Sequence, residues 1–244
     1  MAEIAFFNGN TVLQDITMVV LTIVAIQVFI MINDIIKKKQ LLSTTVTRKF
    51  IHIVAAPIYV FMWVFYSSSS SSKYIAIIVP SLFAIQFTLI GLGIMKNEPF
   101  VQTMSRSGNP KELLRGTLFY AIVMIILTLL FFIDTPITSN SNPVALIAFM
   151  TLAFGDGFAD IVGRSVDKMK FKVFSEKSIP GSMAMLIGSI LGSYLGLVIF
   201  GFSLSDYFTM ILVICVIATI IEAISPKETD NITIPLVVVI LSFI

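Results

Sequence analysis

Eight apolar runs punctuate this chain, near Ile16–Ile36, Phe50–Tyr66, Tyr74–Met95, Leu113–Ile133, Pro143–Val162, Ser182–Phe202, Tyr207–Ile224 and Ile232–Ile244. Most come close to the roughly 20 residues a helix needs to cross a hydrocarbon layer about 30 Å thick. With 57% hydrophobic and 12% charged residues, a water-soluble domain of 244 residues would have more apolar side chains than one core can hide. The spacing predicts an all-α, polytopic bundle of seven or eight transmembrane helices, forming a single integral membrane domain over residues 1–244. The last run is short for a full span, which calls for little tilt, local thinning or re-entry. Pro57 and Pro80 fall inside apolar runs, where membrane helices tolerate kinks.

The charges sort the connections into two kinds. Lys37, Lys38, Lys39, Arg48 and Lys49 follow the first run, Lys96, Arg106, Lys111 and Arg115 the third, and Arg164, Lys168, Lys170, Lys172 and Lys177 the fifth. The alternate connections are poor in basic residues: the serine tract Ser67–Ser72 with Lys73, the stretch from Asp134 to Asn142, and Gly201 to Asp206. Every second loop is basic, so the positive-inside rule puts those loops in the cytoplasm and the N-terminus outside. The serine tract reads as a flexible external hairpin linker. No basic n-region or small-residue cleavage site precedes the first run, which is expected to be a retained helix.

Other features narrow the function. The lone cysteine, Cys215, lies in an apolar run and reads as packing. A net charge of +2 gives no basis for nucleic-acid binding.

Four polar clusters interrupt the apolar pattern, and the predicted topology puts all four at the cytoplasmic edge. The first is Gly155-Asp156-Gly157-Phe158-Ala159-Asp160-Ile161-Val162-Gly163-Arg164. Asp156 and Asp160 share a helical face, and two carboxylates there repel unless something cationic stands between them. Magnesium carrying phosphate oxygens fits, and so does pairing with Arg164 or other basic side chains. Gly155, Gly157 and Gly163 suit either close backbone approach or helix packing. The second cluster is Ser175-Glu176-Lys177-Ser178-Ile179-Pro180-Gly181-Ser182, an anion cradle at a helix start or an ordinary N-cap with a snorkelling lysine. The third, Arg48-Lys49-Phe50-Ile51-His52, is a phosphate or proton-transfer site or a topogenic basic flank. The fourth places Glu222 at the inner end of an apolar run, before Asp230-Asn231, which also reads as a cap.

In their order these pieces resemble the polyprenol kinase family, which includes phytol, farnesol, dolichol and CTP-dependent diacylglycerol kinases. The residues that carry the likeness are Arg48-Lys49-x-x-His52, Gly155-Asp156-x-x-Ala159-Asp160-x-x-Gly163-Arg164, Lys177-Ser178-x-x-Gly181-Ser182 and Glu222 followed by Asp230-Asn231-x-x-x-Pro235. Together they span roughly Arg48 to the C-terminus. Pro180 departs from the acidic residue that many relatives carry before the glycine.

The resemblance implies transfer of a γ-phosphate from a nucleoside triphosphate, CTP favoured, to a lipid alcohol held among membrane lipids, with Mg2+. Asp156 and Asp160 are expected to hold the metal. Lys177, Ser178 and Ser182 are expected to grip the triphosphate, and Gly155, Gly157, Gly163, Gly181 and Asn231 to line its site. Arg48, Lys49 and Arg164 would offset charge on the transferring group. His52, Glu222 and Asp230 remain equal candidates to orient or deprotonate the alcohol. Two other readings stay open: a membrane cytidylyltransferase that forms a CDP-lipid and, ranked lower, a transporter of an anionic solute.

Overall fold

The computed structural model describes residues 7–135, 137, 141–166, 169–226 and 228–243. Lys168 and Ile244, counted above in a basic loop and the last run, lie outside them. Helix α1 (Thr11–Lys38) starts at Asn10, whose side chain accepts from the Leu13 N–H. Its buried stripe, Asp15, Met18, Val19, Thr22, Ile26, Ile30 and Asn33, recurs every three or four residues. Val20, Val24, Val28, Met31 and Ile35 cover the exposed side. The helix is apolar outward and carries its polar residues inward, the reverse of a soluble helix and the arrangement lipid demands.

The remaining elements follow in order. Helix α2 is Thr44–Phe61; α3 (Ser72–Ala76) and α4 (Ile78–Gly91) form one broken span. Short α5 (Glu98–Met104) precedes α6 (Gly116–Phe131). Helices α7 (Val144–Met150) and α8 (Gly157–Ser165) are joined by a π-helical stretch, Thr151–Asp156, into a single span. A small antiparallel hairpin, β1 (Lys170–Lys172) and β2 (Glu176–Ser178), leads into α9 (Ile179–Phe200), and α10 (Leu204–Ile224) and α11 (Asp230–Leu241) complete the bundle.

Among the described residues, seven helical spans are long and apolar enough to cross a membrane. The shorter α11 keeps pace with α6: Asn231 Nδ2 donates to the Gly116 carbonyl at one end (3.1 Å), and Phe243 meets Phe131 at the other, ring centroids 6.0 Å apart. The last run therefore lies alongside α6 over the length of α11, as a shorter apolar helix. The span from Val144 to Ser165 is the axis of the bundle, with 78% of its most apolar window buried, against 28–44% in the other six.

The serine tract is tied down. Buried Asp15 accepts from the Ser67 N–H (2.7 Å) and the Ser72 hydroxyl (2.6 Å), and Ser68 Oγ accepts from the Thr135 N–H (2.7 Å). A carboxylate buried at a helix start needs donors, and the nearby serines supply them. At the opposite end Asn33 reaches the Thr47 carbonyl (2.7 Å) and Lys37 the Gln102 carbonyl (2.6 Å). That second end holds all four polar clusters.

Candidate functional site

The central span delivers Asp156 from the last residue of its π-helical stretch. Such a stretch packs an extra residue into the turn, and these irregularities recur where a side chain must be aimed. Gly155 and Gly157 let neighbouring helices close in at that point. A Cβ on Gly155 would stand 2.2 Å from Ser189 Oγ of α9, and one on Gly157 2.2 Å from Ile53 Cγ1 of α2. Both glycines are buried in helix contacts and line neither cavity described below. Gly163 and Gly181 do face the polar cavity, at the α8–α9 crossing, where a Cβ on Gly181 would approach the Gly163 Cα to 3.1 Å.

The first turns of α2 bring Arg48, Lys49 and His52 against this span. Lys49 Nζ lies 2.8 Å from Asp156 Oδ2 and 3.8 Å from Asp160 Oδ2, so a lysine stands between the two aspartates. His52 Nε2 is 3.3 Å from the same Asp156 oxygen, and its ring packs on Tyr120 with centroids 4.4 Å apart. Asp160 also meets Arg164 Nε (2.8 Å) and Arg48 Nη2 (3.6 Å).

A second set of charges closes the site from α10 and α11. Lys177 on β2 pairs with Glu222 and lies 3.8 Å from Asp230 Oδ2. Burial weighs against the Lys177 ammonium, but the Glu222 carboxylate, aided by Asp230, outweighs it and holds the pKa above the usual lysine value. Ser178 Oγ caps α9 by accepting from the Gly181 N–H (3.2 Å). The Ser182 hydroxyl and Asn231 Oδ1 are buried without hydrogen-bond partners. The carboxylates that converge are Asp156, Glu222 and Asp230, with one oxygen from each within 4.8 Å of the others. Three hard oxygen donors so placed fit a magnesium ion, which favours carboxylates completed by water and phosphate.

Two cavities meet at these residues. One, about 490 Å³, is polar and opens among Arg164, Lys177, Ser178, Ser182 and Glu222. The other runs into the bundle between Ile30, Val79, Phe83, Ala121 and Met124. Lys49, Arg106, Asp156 and Asp230 line both. Arg106 and Tyr120 carried no sequence signal of function: one read as a loop charge, the other as part of an apolar run.

Fold and site together define a multi-pass helical membrane protein in which a buried ionic wall divides a polar cavity from an apolar one. Among curated proteins, a wheat (Triticum aestivum) "Probable phytol kinase, chloroplastic" is 31% identical over 86% of this chain and 71% of its own length. A maize (Zea mays) protein of the same name is 29% identical over 100% and 80%. "Phytol kinase 1, chloroplastic" of Arabidopsis thaliana is 25% identical over 96% and 78%. The chain belongs to the phytol kinase family. It matches no family model, and no solved structure matches it.

Proposed function

We propose that this protein phosphorylates an isoprenoid alcohol of the phytol class, taking the γ-phosphate from a nucleoside triphosphate, CTP favoured, at the cytoplasmic edge of the membrane. The observation that carries the reading is the shared wall: an apolar cavity suited to a lipid tail and a polar cavity suited to a triphosphate touch only through charged residues. The orientation rests on the positive-inside rule, since the site lies at the basic end.

In this reading Lys177, Arg164 and the unpartnered hydroxyl of Ser182 hold the triphosphate, with Ser178 fixing the start of α9. Asp156, Glu222 and Asp230 hold Mg2+, which when bound neutralises charge on the phosphate oxygens. Asp160, engaged by three cations, keeps Arg48, Lys49 and Arg164 in position. The sequence-based pair, Asp156 with Asp160, is the competing metal assignment. His52 faces the apolar cavity with Asp156 behind it, so it is the candidate base for the alcohol proton. The alcohol oxygen then attacks the γ-phosphorus, and the nucleoside diphosphate leaves. Positioning and electrostatics supply most of such catalysis.

The test incubates purified protein and Mg2+ with γ-labelled CTP or ATP against phytol, farnesol, geranylgeraniol, dolichol and diacylglycerol. Label in the phytol or another isoprenoid product supports the proposal. Lipid-linked cytidine with released pyrophosphate overturns it in favour of a cytidylyltransferase.

A further inference from the structure

Arg106 sits on a loop that the reaction above leaves unused. The turn is tightly bonded: the Arg106 N–H donates to Glu112 Oε2 (2.5 Å), the Ser107 hydroxyl to Glu112 Oε1 (2.5 Å), and the Gly108 N–H to Ser105 Oγ (2.9 Å). Gly108 turns at φ 78°, in the left-handed region where glycine is favoured. A turn so bonded holds the stem of its side chain in place.

Five cations line the polar cavity, and four have carboxylate partners: Lys49 on Asp156, Arg164 on Asp160, Lys170 on Glu176 and Lys177 on Glu222. Arg106 is the one of the five with no ion pair or side-chain hydrogen bond among the described residues, although the Glu112 carboxylate that accepts from its backbone is near enough to feel its charge; besides Lys49, it is also the one that lines the apolar cavity. Arg48 stands near enough for the two charges to repel; beyond its 3.6 Å ion pair with Asp160, its Nε and Nη2 are buried without hydrogen-bond partners. Two guanidinium groups facing one volume repel, and an anion with several oxygens between them would relieve that repulsion and give the buried Arg48 nitrogens an acceptor. A phosphomonoester matches that geometry and charge.

We infer that Arg106, together with Arg48, binds the phosphoryl group as it passes between the cavities and then holds the phosphomonoester of the lipid product. This rests on the kinase reading. The alcohol oxygen bonds to the γ-phosphorus, the bond from that phosphorus to the bridging oxygen breaks, and the electron pair leaves with the nucleoside diphosphate. The alcohol proton goes to His52. The new monoester dianion is left against both guanidinium groups, its tail still in the apolar cavity.

The test is binding, independent of turnover. Hexadecyl phosphate, hexadecanol and inorganic phosphate are titrated into the full-length protein in nanodiscs. Arg106→Ala should weaken hexadecyl phosphate binding about ten- to hundredfold, with Arg106→Lys in between and hexadecanol binding unchanged. Should Arg106→Ala not fold, Arg106→Gln keeps the stem and removes the charge. Unchanged hexadecyl phosphate affinity in the variant overturns the inference. So does an equal loss of hexadecanol binding, which marks a structural role, or wild-type affinity for inorganic phosphate equal to that for hexadecyl phosphate. A wild type that binds hexadecyl phosphate as described but labels no alcohol would sink the kinase reading and leave the anion site standing.

Discussion

Lys49 Nζ lies 2.8 Å from Asp156 Oδ2, joining the start of the second span to the middle of the fifth across 107 residues of sequence. Both side chains are almost wholly buried, at 8% and 6% exposure. Lys49→Met or Asp156→Asn leaves an uncompensated buried partner and should lower stability by about 3–5 kcal/mol, read by unfolding in detergent. The double variant Lys49→Met/Asp156→Leu should regain part of that stability and no turnover. Activity in the double variant would remove the pair from the chemistry.

The converging carboxylates make a separate prediction about the metal. Glu222→Gln and Asp230→Asn should raise the Mg2+ concentration for half-maximal turnover about tenfold or more, whereas Asp160→Asn lowers turnover with little change in that concentration. The opposite ranking would give the ion to Asp156 and Asp160.

His52 touches the apolar cavity and Asp156 at once. His52→Asn should reduce kcat by about 10²–10⁴ while KM for the alcohol stays near its original value. A fall in alcohol binding alone would make His52 a wall of the cavity and not a proton acceptor.

Gly157 is a packing position whose effect reaches the site. A methyl group there meets Ile53 on the helix that carries Lys49 and His52. Gly157→Ala should cost about 1–3 kcal/mol and depress turnover, and adding Ile53→Ala should recover both by making room. Failure of that rescue would mean the glycine matters for another reason.

The apolar cavity should be separable from the nucleotide by substitution. Ala121, 2% exposed, lines its wall. Ala121→Phe should raise KM for long alcohols about tenfold and leave nucleotide binding as it was. Equal effects on both substrates would deny the division of labour between the cavities.

The bundle was largely legible in the residues because lipid imposes length and composition on each span independently. Runs such as Tyr207–Ile224 and the alternation of basic loops can be read one segment at a time. The four polar clusters were legible for the same reason: a charge at the end of an apolar helix is conspicuous. Less local features escaped. The serine tract looked like a free linker because Asp15, which binds Ser67 and Ser72, lies more than 50 residues earlier.

The amino-acid sequence alone determined that this protein spans the membrane repeatedly and gathers carboxylates and cations at one edge, since hydropathy and charge act locally along the chain. Only the tertiary structure decided how those charges are partnered: Lys49 between Asp156 and Asp160, Lys177 on Glu222, and the Arg106 side chain without an ion pair on the wall between two cavities. Ion pairing depends on distances between segments far apart in the chain, and helix packing, through contacts such as Gly157 on Ile53, sets those distances.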